Sequence, residues 1–157
     1  MKNVLSISFS AIALCTTLML SSVNVQAQDE AKTTTGSVWT VRMVHTESMS
    51  RQEYLNHLTL YYIPQMEAAK TQGLILNYRI LSGTYSGAGD FDVMLMVEFP
   101  NLAALDPDPA REAKWKAITE TLTAKLGGEE KLKALRAGVD DLRTFQGEKI
   151  MRTVVLK

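Results

Sequence analysis

Cysteine is all but missing from this chain of 157 residues: the one present, Cys15, excludes an intrachain disulfide. Its place in an apolar N-terminal run also removes it as a thiolate nucleophile or metal ligand of the folded part. Histidine is scarce too. His45 and His57, without cysteine partners, do not specify a zinc site, and no metal is predicted. No sign of charge is in excess, since 17 Lys and Arg balance 17 Asp and Glu, so nothing draws the chain to nucleic acid or an anionic membrane. Nucleophile elbows and dinucleotide fingerprints are absent. The glycine-rich stretch Ser82 to Asp90 leads into a strand rather than a helix N-terminus, so it reads as a hairpin loop and not as a phosphate cradle.

The one long apolar run, Val4 to Leu20, follows Lys2 and precedes Val25-Gln26-Ala27, small residues of the kind a signal peptidase reads. Residues 1–27 are therefore expected to be a signal peptide cleaved after Ala27, with the protein exported to a periplasm or secreted. Leu14 before Cys15 argues against lipid attachment. Removing that segment leaves 16 basic and 17 acidic side chains, a formal charge of −1, and no membrane span. Residues 28–37, QDEAKTTTGS, are polar and without period, and are expected to form a disordered leader. One domain is expected over 38–157.

Within it, Leu74 to Phe99 organises the rest. Alternation predicts two strands, the second with Phe91, Val93, Leu95, Val97 and Phe99 on one face and Asp92, Met94, Met96 and Glu98 on the other. Pairing Gly83 with Asp90 would set Ile80 opposite Val93 and Tyr78 opposite Leu95, with Arg79 diagonally near Asp92. An earlier strand is predicted from Val38 to Thr46. Ser50 and Glu53 form a capping-box pattern that opens a helix running to Gly73, with a kink at Leu60 to Pro64 because proline removes a backbone donor. Asp108-Pro109 starts a further helix ended by Gly127-Gly128, a third spans about Glu129 to Leu142, and Lys149 to Leu156 closes the chain as a strand. The class is α+β. The order is ferredoxin-like βαββαβ, a four-stranded antiparallel sheet with helices on one face and an extra helix before the last strand.

The W-x-V run at Trp39, the helix YLNHL…YYIPQMEAAKTQGLI, the strand NYRIL, the segment FDVMLMVEFPNLAALD and the closing GEKIMRTVVLK together resemble the dimeric α/β-barrel proteins, in particular small exported members of unassigned activity. Their relatives include haem-degrading and chlorite-degrading enzymes, cofactor-free monooxygenases, and EthD-like and NIPSNAP-like proteins. The resemblance implies a homodimer whose sheets face each other, and so broad a family implies little about activity.

Two sets of residues carry the candidate chemistry. Arg42, Asn77, Arg79, Asp92 and Glu98 fall on the mixed strand faces, where Arg42, Asn77 and Arg79 are expected to bind a polar or anionic ligand and Asp92 to act as acid or base; the plainer alternative is a set of structural salt bridges. Tyr54, His57 and Tyr61 form a helical stripe beside the apolar one, with His57 the candidate general base and the tyrosines hydrogen-bond donors; the plainer alternative is an amphipathic flank packed on a neighbour. The expected role is binding of a small molecule or an accessory function. A cofactor-independent monooxygenase or isomerase, a haem-handling enzyme with His57 on the iron, and a purely structural dimer stand as alternatives, and no cofactor is predicted.

Overall fold

The computed structural model describes residues 33–47, 49–84, 87 and 89–156; the segment read as a signal peptide lies outside them. The elements are β1 (Thr33–Thr46), α1 (Arg51–Leu60), α2 (Tyr62–Thr71), β2 (Asn77–Ser82), β3 (Val93–Phe99), a short 3-10 turn (Leu102–Leu105), α3 (Pro109–Leu126), α4 (Glu129–Asp141) and β4 (Arg143–Leu156). The four strands form one antiparallel sheet in the order β2-β3-β1-β4. This is the ferredoxin-like arrangement, α+β, with α1 and α2 together in the place of the first helix. The sheet stays open and does not close into a barrel.

One face of the sheet is helix-covered because its residues are the apolar half of each alternation. Val44 pairs with Val93, Arg42 with Leu95, Thr40 with Val97 and Val38 with Phe99, which puts all of these on one side. Val44, Val93 and Leu95 pack with Tyr54 and Leu58 of α1, while Val97 and Phe99 pack against a cluster that joins Met66 and Ala69 of α2 to Ile118 and Leu122 of α3. The other face carries Trp39, Val41 and Met43 with Met94, Met96 and Glu98.

The kink falls where proline requires it. Pro64 has no N–H for the Leu60 carbonyl, α1 stops at Leu60, and Tyr61 breaks the helix at φ −137° and ψ −51°. At its far end α2 closes with a left-handed Gly73 (φ +68°), whose N–H reaches the Lys70 carbonyl while the Leu74 N–H reaches that of Ala69. α3 starts as the sequence implies, with Asp108 accepting from the Arg111 N–H and Pro109 at the first helical position.

Several expectations need correction. β1 begins at Thr33 rather than Val38, because Thr33 to Thr35 find partners in Val154 to Leu156 of β4; part of the stretch read as a leader is therefore strand. β4 begins at Arg143 rather than Lys149, its Gln146-Gly147 absorbed as an irregularity with Gly147 at φ +148°. β2 begins at Asn77, since Leu74 and Ile75 are buried in the α2–α3 cluster. The hairpin is shifted by two from the expected pairing, to Ile80 opposite Leu95 and Tyr78 opposite Val97. The shift keeps every side chain on its predicted face. The Gly83 N–H closes the loop on the Asp92 carbonyl at 2.7 Å, continuing this register, while the Asp92 side chain binds the end of β1 at Thr46. Lastly, Ser50 makes no side-chain cap: it is already helical at φ −91° and ψ −4°, and the turn is made by Met49 at φ +65°.

Candidate functional site

α1 and α4 lie side by side in opposite directions, with Arg42 of β1, Leu95 of β3 and Arg143 of β4 beside them. Tyr54 meets Arg143, His57 meets Gly138 and Tyr61 meets Arg136. Between the two helices is a cleft of about 310 Å³, near the lower end of ligand-pocket sizes (roughly 300 to 1,000 Å³). The stripe predicted along the first helix, Tyr54, His57 and Tyr61, lines it, and so does Arg42 from the sheet. Leu58, Leu95, Leu135 and Val139 form its apolar wall.

Tyr54 is fully buried at 0 % exposure, yet its hydroxyl proton has no acceptor among the described residues; the buried Nδ1 of His57 likewise has no hydrogen-bond partner there. Burial pushes the Tyr54 phenol up from its ordinary range, and the Arg143 guanidinium, 5.9 Å from the ring centroid, pulls partly back. Burial likewise pushes Tyr62 up to about 12, against the pull of Arg42. Both phenols are therefore neutral near pH 7 and able to donate.

Three guanidiniums line the cleft, and they differ in their partners. Arg42 meets Glu148 at 3.3 Å and lies over the Phe145 ring; Arg143 meets Asp140 at 3.0 Å. Arg136 has no carboxylate within 4.0 Å among the described residues. It stacks on Tyr61, 5.4 Å from the centroid, with Nη2 donating to Tyr61 Oη at 3.4 Å.

The remaining candidates are elsewhere. Arg42 and Arg79 do not share a face: Arg79, opposite Met96, is on the side away from the helices and lies 5.7 Å from the Trp39 ring. The expected Arg79–Asp92 neighbourhood is not formed. Asn77 sits where β2 begins, its Oδ1 accepting from the Tyr78 N–H at 3.0 Å and from Lys70 at 3.4 Å. Glu98 accepts from Ser37 Oγ on the same open face. Asp92 is buried in a second hollow, beside His45, Thr46 and Arg51, and accepts from both the N–H and the Oγ1 of Thr46. Arg51, 4.0 Å from that carboxylate, also donates to the Gly83 carbonyl. Asp92 thus ties the end of β1, the start of α1 and the hairpin together, apart from His57.

Arg136, Arg143, Tyr62 and Gly138 belong to the cleft without having been singled out in the sequence. Arg136 and Arg143 each directly follow a residue of the apolar stripe of α4, Leu135 and Leu142, and read there as solvated flank. Gly138 carried the better signal. A glycine inside a helix costs about 1 kcal/mol relative to alanine, and this one lies against the imidazole, where a Cβ would stand 3.4 Å from His57 Cε1.

Taken together, the fold and the cleft define a ferredoxin-like α+β domain with a polar-ended hollow between its helices and its sheet. No family model matches the chain, and no curated protein matches it. Among solved structures it is similar to a NIPSNAP family protein of unknown function from Agrobacterium tumefaciens strain C58, at 10 % identity and a TM-score of 0.42, covering 77 % of this chain and 89 % of that one. Haem, which the wider resemblance brings into view, does not suit the cleft: about 310 Å³ is small for a porphyrin, and His57 is pressed against the backbone of α4 at Gly138.

Proposed function

We propose that the chain is an exported, homodimeric protein that binds a small molecule in the cleft between α1 and α4. The observation that carries this reading is a cleft lined by Arg42, Tyr54, His57, Tyr61 and Arg136 in which two buried polar atoms of the lining residues, Tyr54 Oη and His57 Nδ1, have no hydrogen-bond partner among the described residues. A buried donor or acceptor left unmade costs about 1–3 kcal/mol, and a ligand that satisfies both recovers that cost. Binding draws on no cofactor. With Asp92 in a separate hollow, the reading makes no use of a His57–Asp92 pair.

Export rests on Lys2, the Val4 to Leu20 run and Val25-Gln26-Ala27. The homodimer rests on the uncovered face of the sheet, where Leu81 and Met151 are half exposed beside Met94 and Met96, an apolar surface that a second copy covers.

Native mass spectrometry of the protein purified from an export compartment tests the whole reading. The expected species is a dimer whose mass exceeds that of the two chains by a small organic molecule. An empty dimer would defeat the binding role and keep the pairing, and an empty monomer would defeat both.

A further inference from the structure

The cleft is unevenly charged along its length. At one end Arg143 is held by Asp140, and on the floor Arg42 is held by Glu148, while at the other end Arg136 lines the hollow with no carboxylate within 4.0 Å among the described residues. Its guanidinium lies over the Tyr61 ring and commits only one of its N–H groups, over the long distance of 3.4 Å. Between the two ends the wall is apolar.

We infer that the cleft takes an organic acid with a small apolar body, its carboxylate on Arg136 and its body on Leu58, Leu95 and Val139. The inference rests on the binding reading above and names the class of ligand. Each competing class leaves something unmatched. A cation would meet three guanidiniums. A hydrocarbon would leave Tyr54 Oη and His57 Nδ1 unpaired in the interior. An inorganic anion would leave the apolar wall uncovered. The neutral Tyr54 phenol donates to a second polar atom on the body, so a hydroxy or keto acid fits better than a simple one. Planar guanidinium and carboxylate match as a two-point pair, and the guanidinium of Arg136 keeps N–H groups free to make it.

Calorimetric titration of the whole chain with hydrocinnamate, hydrocinnamyl alcohol and the corresponding amine separates these classes, because the three differ only in the head group. The acid is expected to bind about tenfold or more tighter than the alcohol, with no binding of the amine. Arg136→Met should bring the acid down to the level of the alcohol and leave the alcohol unchanged, while Arg136→Lys keeps part of the difference. Arg136 is exposed on α4, so a thermal unfolding curve of each variant close to that of the parent will show that the fold is intact. Acid and alcohol binding alike, or an acid indifferent to Arg136→Met, would overturn the inference while leaving the cleft a binding site. Failure of all three to bind would overturn the binding reading with it.

Discussion

α2 and α3 meet over the sheet through one apolar cluster, whereas α1 and α4, built on the same amphipathic period, leave a hollow. On the first side Met66, Ala69, Ile118 and Leu122 interlock with Leu74 and Ile75 in a single cluster. On the second, the buried set of Val44, Tyr54, Leu58, Val93 and Leu95 is only partly roofed by Val139 and Leu142. The difference lies in what flanks the apolar stripe. Beside it, α1 carries His57 and Tyr61 and α4 carries Arg136 and Asp140, whose polar ends cannot be pressed into a dry seam without losing water. A packed seam and an open cleft are thus two outcomes of one pattern.

The sharpest way to break the comparison is truncation. Ile118→Ala should cost about 2–5 kcal/mol in urea unfolding, since its neighbours close round it on all sides. Leu135→Ala, on the cleft wall, should cost markedly less, because the space it opens joins one already there. Equal costs would mean that the cleft is as tightly packed as the core.

A smaller effect is expected in alkali. Tyr62, half-buried under the cleft, has its phenol pushed up to about 12 in the folded chain against about 10 when unfolded. The fold prefers the neutral phenol, so this contribution is fully present below pH ~10 and is lost as pH rises from about 10 to about 12, up to about 2 kcal/mol after allowing for partial exposure. Tyr78 titrates over the same range because its hydroxyl donates to Glu67, and because that bond lies near the surface its share should be slight. Stability measured from pH 8 to 12 should therefore flatten more in Tyr62→Phe than in Tyr78→Phe. The reverse order would place the buried phenol on the wrong side of the comparison.

The filled half was largely legible in the sequence and the open half only in part, for a physical reason. Alternation and helical period report which residues are apolar together, and that suffices for strand order, for the faces of the hairpin, and for the Pro64 kink. They do not report which polar residues converge from different elements. Tyr54, His57 and Tyr61 lie on one helix and could be read as a unit, but Arg136 and Arg143 reach the same hollow from another helix and a strand. The strand faces misled for a related reason. Arg42 sits on the apolar face of the sheet because β1 pairs its mixed side with the clean side of β3, and no pattern within β1 alone reveals that choice. Asp92 shows the converse: the side chain of a charged residue inside an alternating run holds Thr46 at the end of β1, a tie between separate elements that alternation does not report.

The least effect on stability, and the most telling, is expected from Tyr54→Phe. A buried tyrosine whose hydroxyl is hydrogen-bonded typically loses about 1 kcal/mol on this change, because the partner is left unpaired. Here the hydroxyl proton has no acceptor among the described residues and the neighbouring Arg143 guanidinium is held by Asp140, so deleting the hydroxyl strands little, and the ring keeps its place under Arg143 and against Val44 and Leu58. Unfolding free energy should stay within about 0.5 kcal/mol of the parent or rise slightly, while any small molecule carried by the parent is retained less well. A loss of more than about 1 kcal/mol would mean that the hydroxyl is already satisfied inside the fold, which makes the open half of the helical layer a second, wetter core rather than a site. An unchanged fold with a weakened ligand would mean that the fold tolerates an unpaired phenol in its interior for the sake of what binds there.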